Sequence, residues 1–213
     1  MRYFYKSSPE PSELLRFRKE GGPNCTYGAF PAKDVLRRRV LTDQGFLCCY
    51  CMRRIDLRKM KIEHYRSQSK HAAEQLDWKN MLGACEGGEG LPQKLQTCDA
   101  HRAADDLYVD PQNETHMTRL RYLPDGEILH QEGTDRIQRD LDVTLNLNND
   151  SLKMQRVSAL NGFKEAMCKD LGSKKYWSAN RLTQKLTNLR DSSRKLPFLG
   201  VVEYWLEKKI RKK

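Results

Sequence analysis

Four cysteines constrain this chain more than any other feature. Cys48 and Cys51 form a CxxC knuckle, and Cys85 and Cys98 offer a second pair within the stretch 48–102, which also holds Glu63, His64 and Asn80. Four thiolates close a tetrahedral zinc site with no open position, so the zinc expected here is structural and ties two distant segments together. A catalytic ion would bind elsewhere, and Glu63, His64, Asp99 and His101 are the polar residues available to hold or use it. The chain has seven cysteines and no evident export signal, which argues for metal binding or free thiols over a disulfide framework. Cys49 could exchange with Cys48 as a ligand, but Cys48 has the two-residue spacing to Cys51. Cys25 and Cys168 are expected to be small, partly buried side chains.

The order CxYC, a strand ending Ile62-Glu63-His64, then Asp77-Trp78-Lys79-Asn80, then Cys98-Asp99 followed by the basic Arg102, resembles zinc-containing HNH (ββα-metal) endonucleases. More narrowly it looks like PtuB, the HNH subunit of Septu-type anti-phage systems, including the version attached to retrons. The resemblance extends to the opening MRYFYKSSPEPSELLRFR and to LNLNNDSLKMQR. It implies an α+β protein with a zinc-stapled ββα-metal core, an N-terminal helical arm and a C-terminal helical extension. Twelve residues separate Cys85 from Cys98 where most zinc-bearing HNH motifs have two, and the Gly-rich EGGEGLPQKLQT is flexible enough to let the thiolates meet.

Phosphodiester hydrolysis needs an activated water, stabilisation of charge on the phosphoryl oxygens and help for the departing oxygen. A neutral imidazole can take a proton at neutral pH, which makes His64 the candidate base. The hard, anionic Glu63 suits magnesium or manganese. The resemblance places Asp99 as the second ligand, with His101 as a rival that could instead touch phosphate. Arg102 stands where many members carry Lys and would contact phosphate. Asn80 resembles the middle Asn of the motif, hydrogen-bonding backbone and orienting His64. Neighbouring side chains of a strand point to opposite faces, so Glu63 and His64 converge only if the strand ends or bends there.

Charge bounds the partner. The 39 basic residues against 28 acidic ones leave a formal net charge of +11, which favours a polyanion such as nucleic acid; a basic surface kept for solubility or for an acidic protein is the bland alternative. Arg37, Arg38 and Arg39 are either a solvated helix face or a phosphate track. The opening residues lack an apolar signal-peptide core and no stretch approaches ~18 consecutive apolar residues, so no membrane association and a cytoplasmic location are expected.

Three regions are expected: a helical arm over 1–45, the nuclease core over 46–110, and a hairpin and helices over 111–213 that serve as the partner-docking surface. Pro and Gly punctuate residues 1–31 around a short helix at 12–19, and AKDVLRRRVLTDQ predicts a second helix at 32–44. Residues 54–57 and 61–64 are expected as the ββ hairpin, and 99–106 as its closing helix. Pro124-Asp125-Gly126 marks a hairpin turn. Apolar spacing predicts helices at 135–143, 151–171, 176–190 and 198–211, with Gly172 and Pro197 as punctuation and Leu152, Val157, Leu160, Phe163 and Met167 as core. Trp78 is expected as a core anchor; His71, His116 and His130 receive no role.

Through the resemblance alone, the partners implied are a PtuA-like ATPase and, in the retron version, a reverse transcriptase with its RNA-DNA product. Two rival readings stand beside a nuclease subunit. One is a zinc-dependent nucleic-acid-binding adaptor without catalysis, and the other a restriction or homing-type HNH enzyme acting alone. DNA and RNA substrates both remain open, because base readout depends on geometry outside the reach of sequence.

Overall fold

The computed structural model describes residues 1–6, 9–22, 25–131, 135–171 and 177–212. At its centre lies an antiparallel pair, β1 (Lys61–His64) and β2 (Met81–Ala84), in register from Lys61↔Ala84 to His64↔Met81. Every residue of β2 is buried. The hairpin expected from 54–57 and 61–64 does not form: Arg54 makes one isolated bridge, to Leu47. The cause is the knuckle, which consumes its own backbone. Cys48 N–H donates to the Arg53 carbonyl, Met52 N–H to Cys48, and Ile55 N–H to Phe46. β1 therefore pairs with the segment after Asn80, and residues 65–80 become a long loop between the strands.

Two helices precede the knuckle, α1 (Ser12–Glu20) and α2 (Lys33–Asp43). Glu13 in the first turn of α1 and Arg18 and Lys19 in its last turn match the helix dipole. Leu14, Phe30, Leu36 and Val40 from this part of the chain share a buried cluster with Leu76, Trp78 and Met81, so Trp78 is a core anchor. The Gln44 side chain ties α2 to β2: its amide nitrogen donates to the Leu47 and Gly83 carbonyls and its oxygen accepts from Gly83 N–H at 2.7 Å.

After β2 the long insert closes on itself. Thr97 N–H donates to the Gly87 carbonyl at 2.7 Å. Gly87 sits at φ +63°, and a Cβ there would lie 2.1 Å from the Thr97 carbonyl oxygen, so only glycine permits this closure. The twelve intervening residues thus leave and return at one place, which delivers Cys98 to the start of α3 (Cys98–Arg102). This helix is shorter than the expected 99–106, because Ala103 turns to φ 53° and ends it.

The remainder is α4 (Glu114–Thr118), the hairpin β3 (Leu120–Tyr122) and β4 (Ile128–His130), α5 (Asp135–Arg139) running into a π turn at Asp140–Thr144, then α6 (Asp150–Leu171), α7 (Ala179–Asp191) and α8 (Leu199–Ile210). The expected boundary residues Gly172 and Tyr176 lie outside the described residues. On α6, Leu152, Phe163 and Met167 are buried while Val157 and Leu160 are half-buried. Arg156 on the same helix is fully buried and donates to the carbonyls of Gly126 and Leu147, which periodicity did not foresee. α8 docks on the knuckle through Met52, whose carbonyl accepts from Phe198 N–H at 3.0 Å and whose sulfur accepts from Gly200 N–H at 3.3 Å. Among the described residues, no helix is long and apolar enough to cross a membrane.

Candidate active site

Cys48, Cys51, Cys85 and Cys98 are buried, and their sulfurs all lie within 4.8 Å of one another. Cys48 to Cys98 is 3.9 Å and Cys51 to Cys85 is 3.7 Å. Tetrahedral Zn–S bonds of about 2.3 Å place sulfurs about 3.8 Å apart, close to these two distances, so the four cysteines could hold zinc. Cys49 stands outside this group; its N–H instead donates to the Gly83 carbonyl, fastening the knuckle to β2. Arg53 lies against the sulfurs, with Nε 3.4 Å from Cys51 Sγ and Nη2 3.7 Å from Cys85 Sγ, and it also donates to Thr97 Oγ1 at 2.8 Å. Its charge offsets part of the negative charge of four thiolates.

Glu63 leaves β1 on the side of the knuckle. Its Oε1 accepts from the Tyr50 hydroxyl at 2.9 Å and from Arg102 Nη1. Burial, followed by the adjacent Asp99 carboxylate, pushes Glu63 up to about 8, against the pull of Arg102 and Tyr50. Raised to about 8, Glu63 keeps its proton at pH 7 beside Asp99; a divalent cation would displace that proton, and the two adjacent hard-oxygen side chains fit magnesium or manganese. Asp99 stands in the first turn of α3, with Lys61 Nζ 3.7 Å from its Oδ2.

His64 follows Glu63 as the last residue of β1, where the strand ends, and the Asp99 charge acts on its ring as it does on Glu63. Its Nε2 lies 2.9 Å from the Gln75 carbonyl and its ring packs edge-on to Tyr27 at 4.6 Å between centroids. A carbonyl only accepts, so Nε2 carries the proton and Nδ1 carries the lone pair. Burial holds His64 below the ordinary imidazole range, against the Gln75 carbonyl and the Asp99 charge. The imidazole is therefore neutral at pH 7 and able to accept a proton.

Asn80 explains why the Gln75 carbonyl is where it is. Its Oδ1 accepts from Arg66 N–H at 2.6 Å, and its Nδ2 donates at 3.0 Å to both the Arg66 and the Glu74 carbonyls. Asn80 thus cinches the two ends of the 66–74 loop, one residue from the carbonyl that fixes His64.

Two expected contacts come out differently. Arg102 is not placed to reach a phosphate: its side chain is 1% exposed, and its donors go to Glu63, Tyr50 and the carbonyls of His64, Tyr65 and Asp105. It braces the site from inside. His101 parts from Asp99, since two helical residues stand about 200° apart; its Nδ1 lies 3.1 Å from the Thr144 carbonyl. Arg102, three residues from Asp99, shares that residue's side of α3. On α2, Arg37 pairs with Asp34 at 2.9 Å and Arg39 with Asp43 at 3.8 Å, while Arg38 is exposed. The sequence assigned no role to Tyr50, the aromatic residue of the CxYC motif, or to Arg53, two residues past Cys51, although the tight knuckle presses the side chains beside its cysteines against the neighbouring motif.

No family model matches the chain. It is similar to a protein of Vibrio cholerae serotype O1 biovar El Tor named "Retron Vc95 putative HNH endonuclease", at 27% identity over 160 residues that cover 68% of this chain and 76% of the relative. That distant relationship supports an HNH nuclease in a retron setting.

Proposed function

We propose that this chain is a metal-dependent HNH endonuclease that hydrolyses phosphodiester bonds of nucleic acid, as the effector of a retron or Septu-type antiviral defence system. The observation that carries the reading is the juxtaposition of Glu63 with Asp99 beside a neutral His64 whose Nε2 is already committed to a backbone carbonyl. Glu63 and Asp99 would hold magnesium or manganese, which neutralises charge on the phosphoryl group and the leaving oxygen. His64 Nδ1 removes the proton from the attacking water, and the Gln75 carbonyl stabilises the imidazolium that results. Asn80 keeps that carbonyl in place. Tyr50 and Arg102 hold the Glu63 carboxylate in place by donating to its Oε1. The PtuB resemblance alone implies the partners in this proposal, a PtuA-like ATPase and, in the retron version, a reverse transcriptase and its RNA-DNA product, with α6 to α8 offered as the docking surface.

A zinc-dependent nucleic-acid adaptor is the second reading. The Glu63–Arg102 pair favours it, because that pair already satisfies one carboxylate oxygen without an ion. His64→Ala separates the two. In cells co-expressing the neighbouring genes, the substituted chain should retain its zinc yet lose both protection against phage and cleaved nucleic acid on sequencing. Full protection by the zinc-loaded variant would establish the adaptor instead.

A further inference from the structure

Residues of the loop between β1 and β2, Tyr65, Arg66, Glu74 and Asp77 to Asn80, line one side of a cavity of about 490 Å³. Four aromatic residues line it: Phe4, Tyr5, Tyr65 and Trp78. Lys6 enters between them, with Nζ 4.3 Å from the centre of the Trp78 ring and donating to the Trp78 carbonyl. Tyr5 is 70% exposed at the rim, so its ring face is accessible for stacking. Arg66 and Asn80, the two residues that close the loop behind His64, form the wall shared with the candidate active site.

The polar lining distinguishes among the parts of a nucleotide. Glu74, Asp77 and Asp110 face the cavity alongside Lys6, Arg66 and Lys79, so the charges balance and the carboxylates repel a phosphate. An uncharged ring bearing amino and carbonyl groups suits such a lining, because aromatic faces stack on it while carboxylates and cations meet its edge. Burial supports this balance by bringing Lys6 down to about 7 and pushing Asp110 up. Gln112 is held at the edge by its own bond to the Lys79 carbonyl at 2.9 Å, which orients its amide oxygen as a further acceptor.

We infer that this cavity receives one unpaired nucleobase of the strand being cut, so that the preferred substrate is single-stranded or looped nucleic acid rather than continuous duplex. The inference rests on the nuclease reading and deepens it. A base inside a duplex presents neither face to a side chain, and extracting it costs unstacking and unpairing energy that an already unpaired base does not incur.

The test measures binding by the His64→Ala protein, which prevents turnover, to fluorescein-labelled strands of about twelve nucleotides, as DNA and as RNA, alone and annealed to their complements. Tyr5→Ala removes an exposed ring and leaves the core intact. It should weaken single-strand binding about tenfold and leave duplex binding unchanged. Gln112→Ala should shift base preference without abolishing binding. An abasic replacement at one strand position should cost affinity in the parent protein and cost none in Tyr5→Ala. The DNA and RNA arms identify which sugar accompanies the base. Equal affinity for strand and duplex, or single-strand binding indifferent to Tyr5, overturns the proposal. Failure of the nuclease reading would appear separately, as His64→Ala cutting as fast as the parent.

Discussion

Asn80→Ala is the substitution from which the site's construction can be measured. The side chain is 4% exposed and makes three hydrogen bonds to backbone, at 2.6, 3.0 and 3.0 Å. Truncation leaves the Arg66 N–H and the Arg66 and Glu74 carbonyls unpaired in a poorly hydrated place, at about 1 kcal/mol each, so the folded state should lose about 3 kcal/mol. The catalytic loss should be larger than this instability explains. Once the Glu74 carbonyl is released, the adjacent Gln75 carbonyl no longer fixes the Nε2 proton of His64, and a base misplaced by about 1 Å costs on the order of 100-fold in rate. Asn80→Asp keeps the acceptor for Arg66 N–H but turns an oxygen toward two carbonyls, so it too should be destabilised and slow. Denaturant unfolding followed by tryptophan fluorescence reads the first quantity. Single-turnover cleavage, at a temperature where each variant is fully folded, reads the second. An alanine variant with parental stability would refute the bonding scheme. One that is destabilised but cuts at the parental rate would show that Asn80 supports the loop without orienting His64.

Removing zinc with a strong chelator, or Cys98→Ser, should unfold the core cooperatively, because the insert and the knuckle meet through those sulfurs; loss of near-ultraviolet circular dichroism on chelation, restored by zinc but not by magnesium, is the check. Tyr50→Phe deletes the 2.9 Å bond to Glu63 while keeping the ring. It should retain zinc and weaken manganese binding, read by electron paramagnetic resonance, about tenfold or more; unchanged manganese affinity would remove Tyr50 from the site. Burial depresses Lys6 to about 7, so between that pH and its unfolded value of 10.5 the unfolded chain binds the extra proton and stability should rise with pH. The full change is on the order of 5 kcal/mol. It should be absent from Lys6→Met, and parallel pH profiles for the two proteins would show Lys6 to be ordinarily charged.

The sequence by itself determined the parts and much of the local structure. Zinc chemistry needs thiolates in pairs, so the knuckle and its distant partners were visible as spacing, and the fit of their sulfurs follows from it. The helices of the C-terminal half were legible because a buried face repeats with the helical period, and the Pro124-Asp125-Gly126 turn because those residues favour that backbone. Only the tertiary structure decided which strand pairs with 61–64, since the knuckle spends the hydrogen bonds that a local hairpin would have used. It also decided that Arg102 braces Glu63 internally, that Asp99 and not His101 stands beside Glu63, and that Arg156 lies buried. Such assignments depend on which face of a short helix meets which strand and on whether a charged group finds enough partners to leave water. Both are properties of residues far apart in the chain, and no local pattern encodes them.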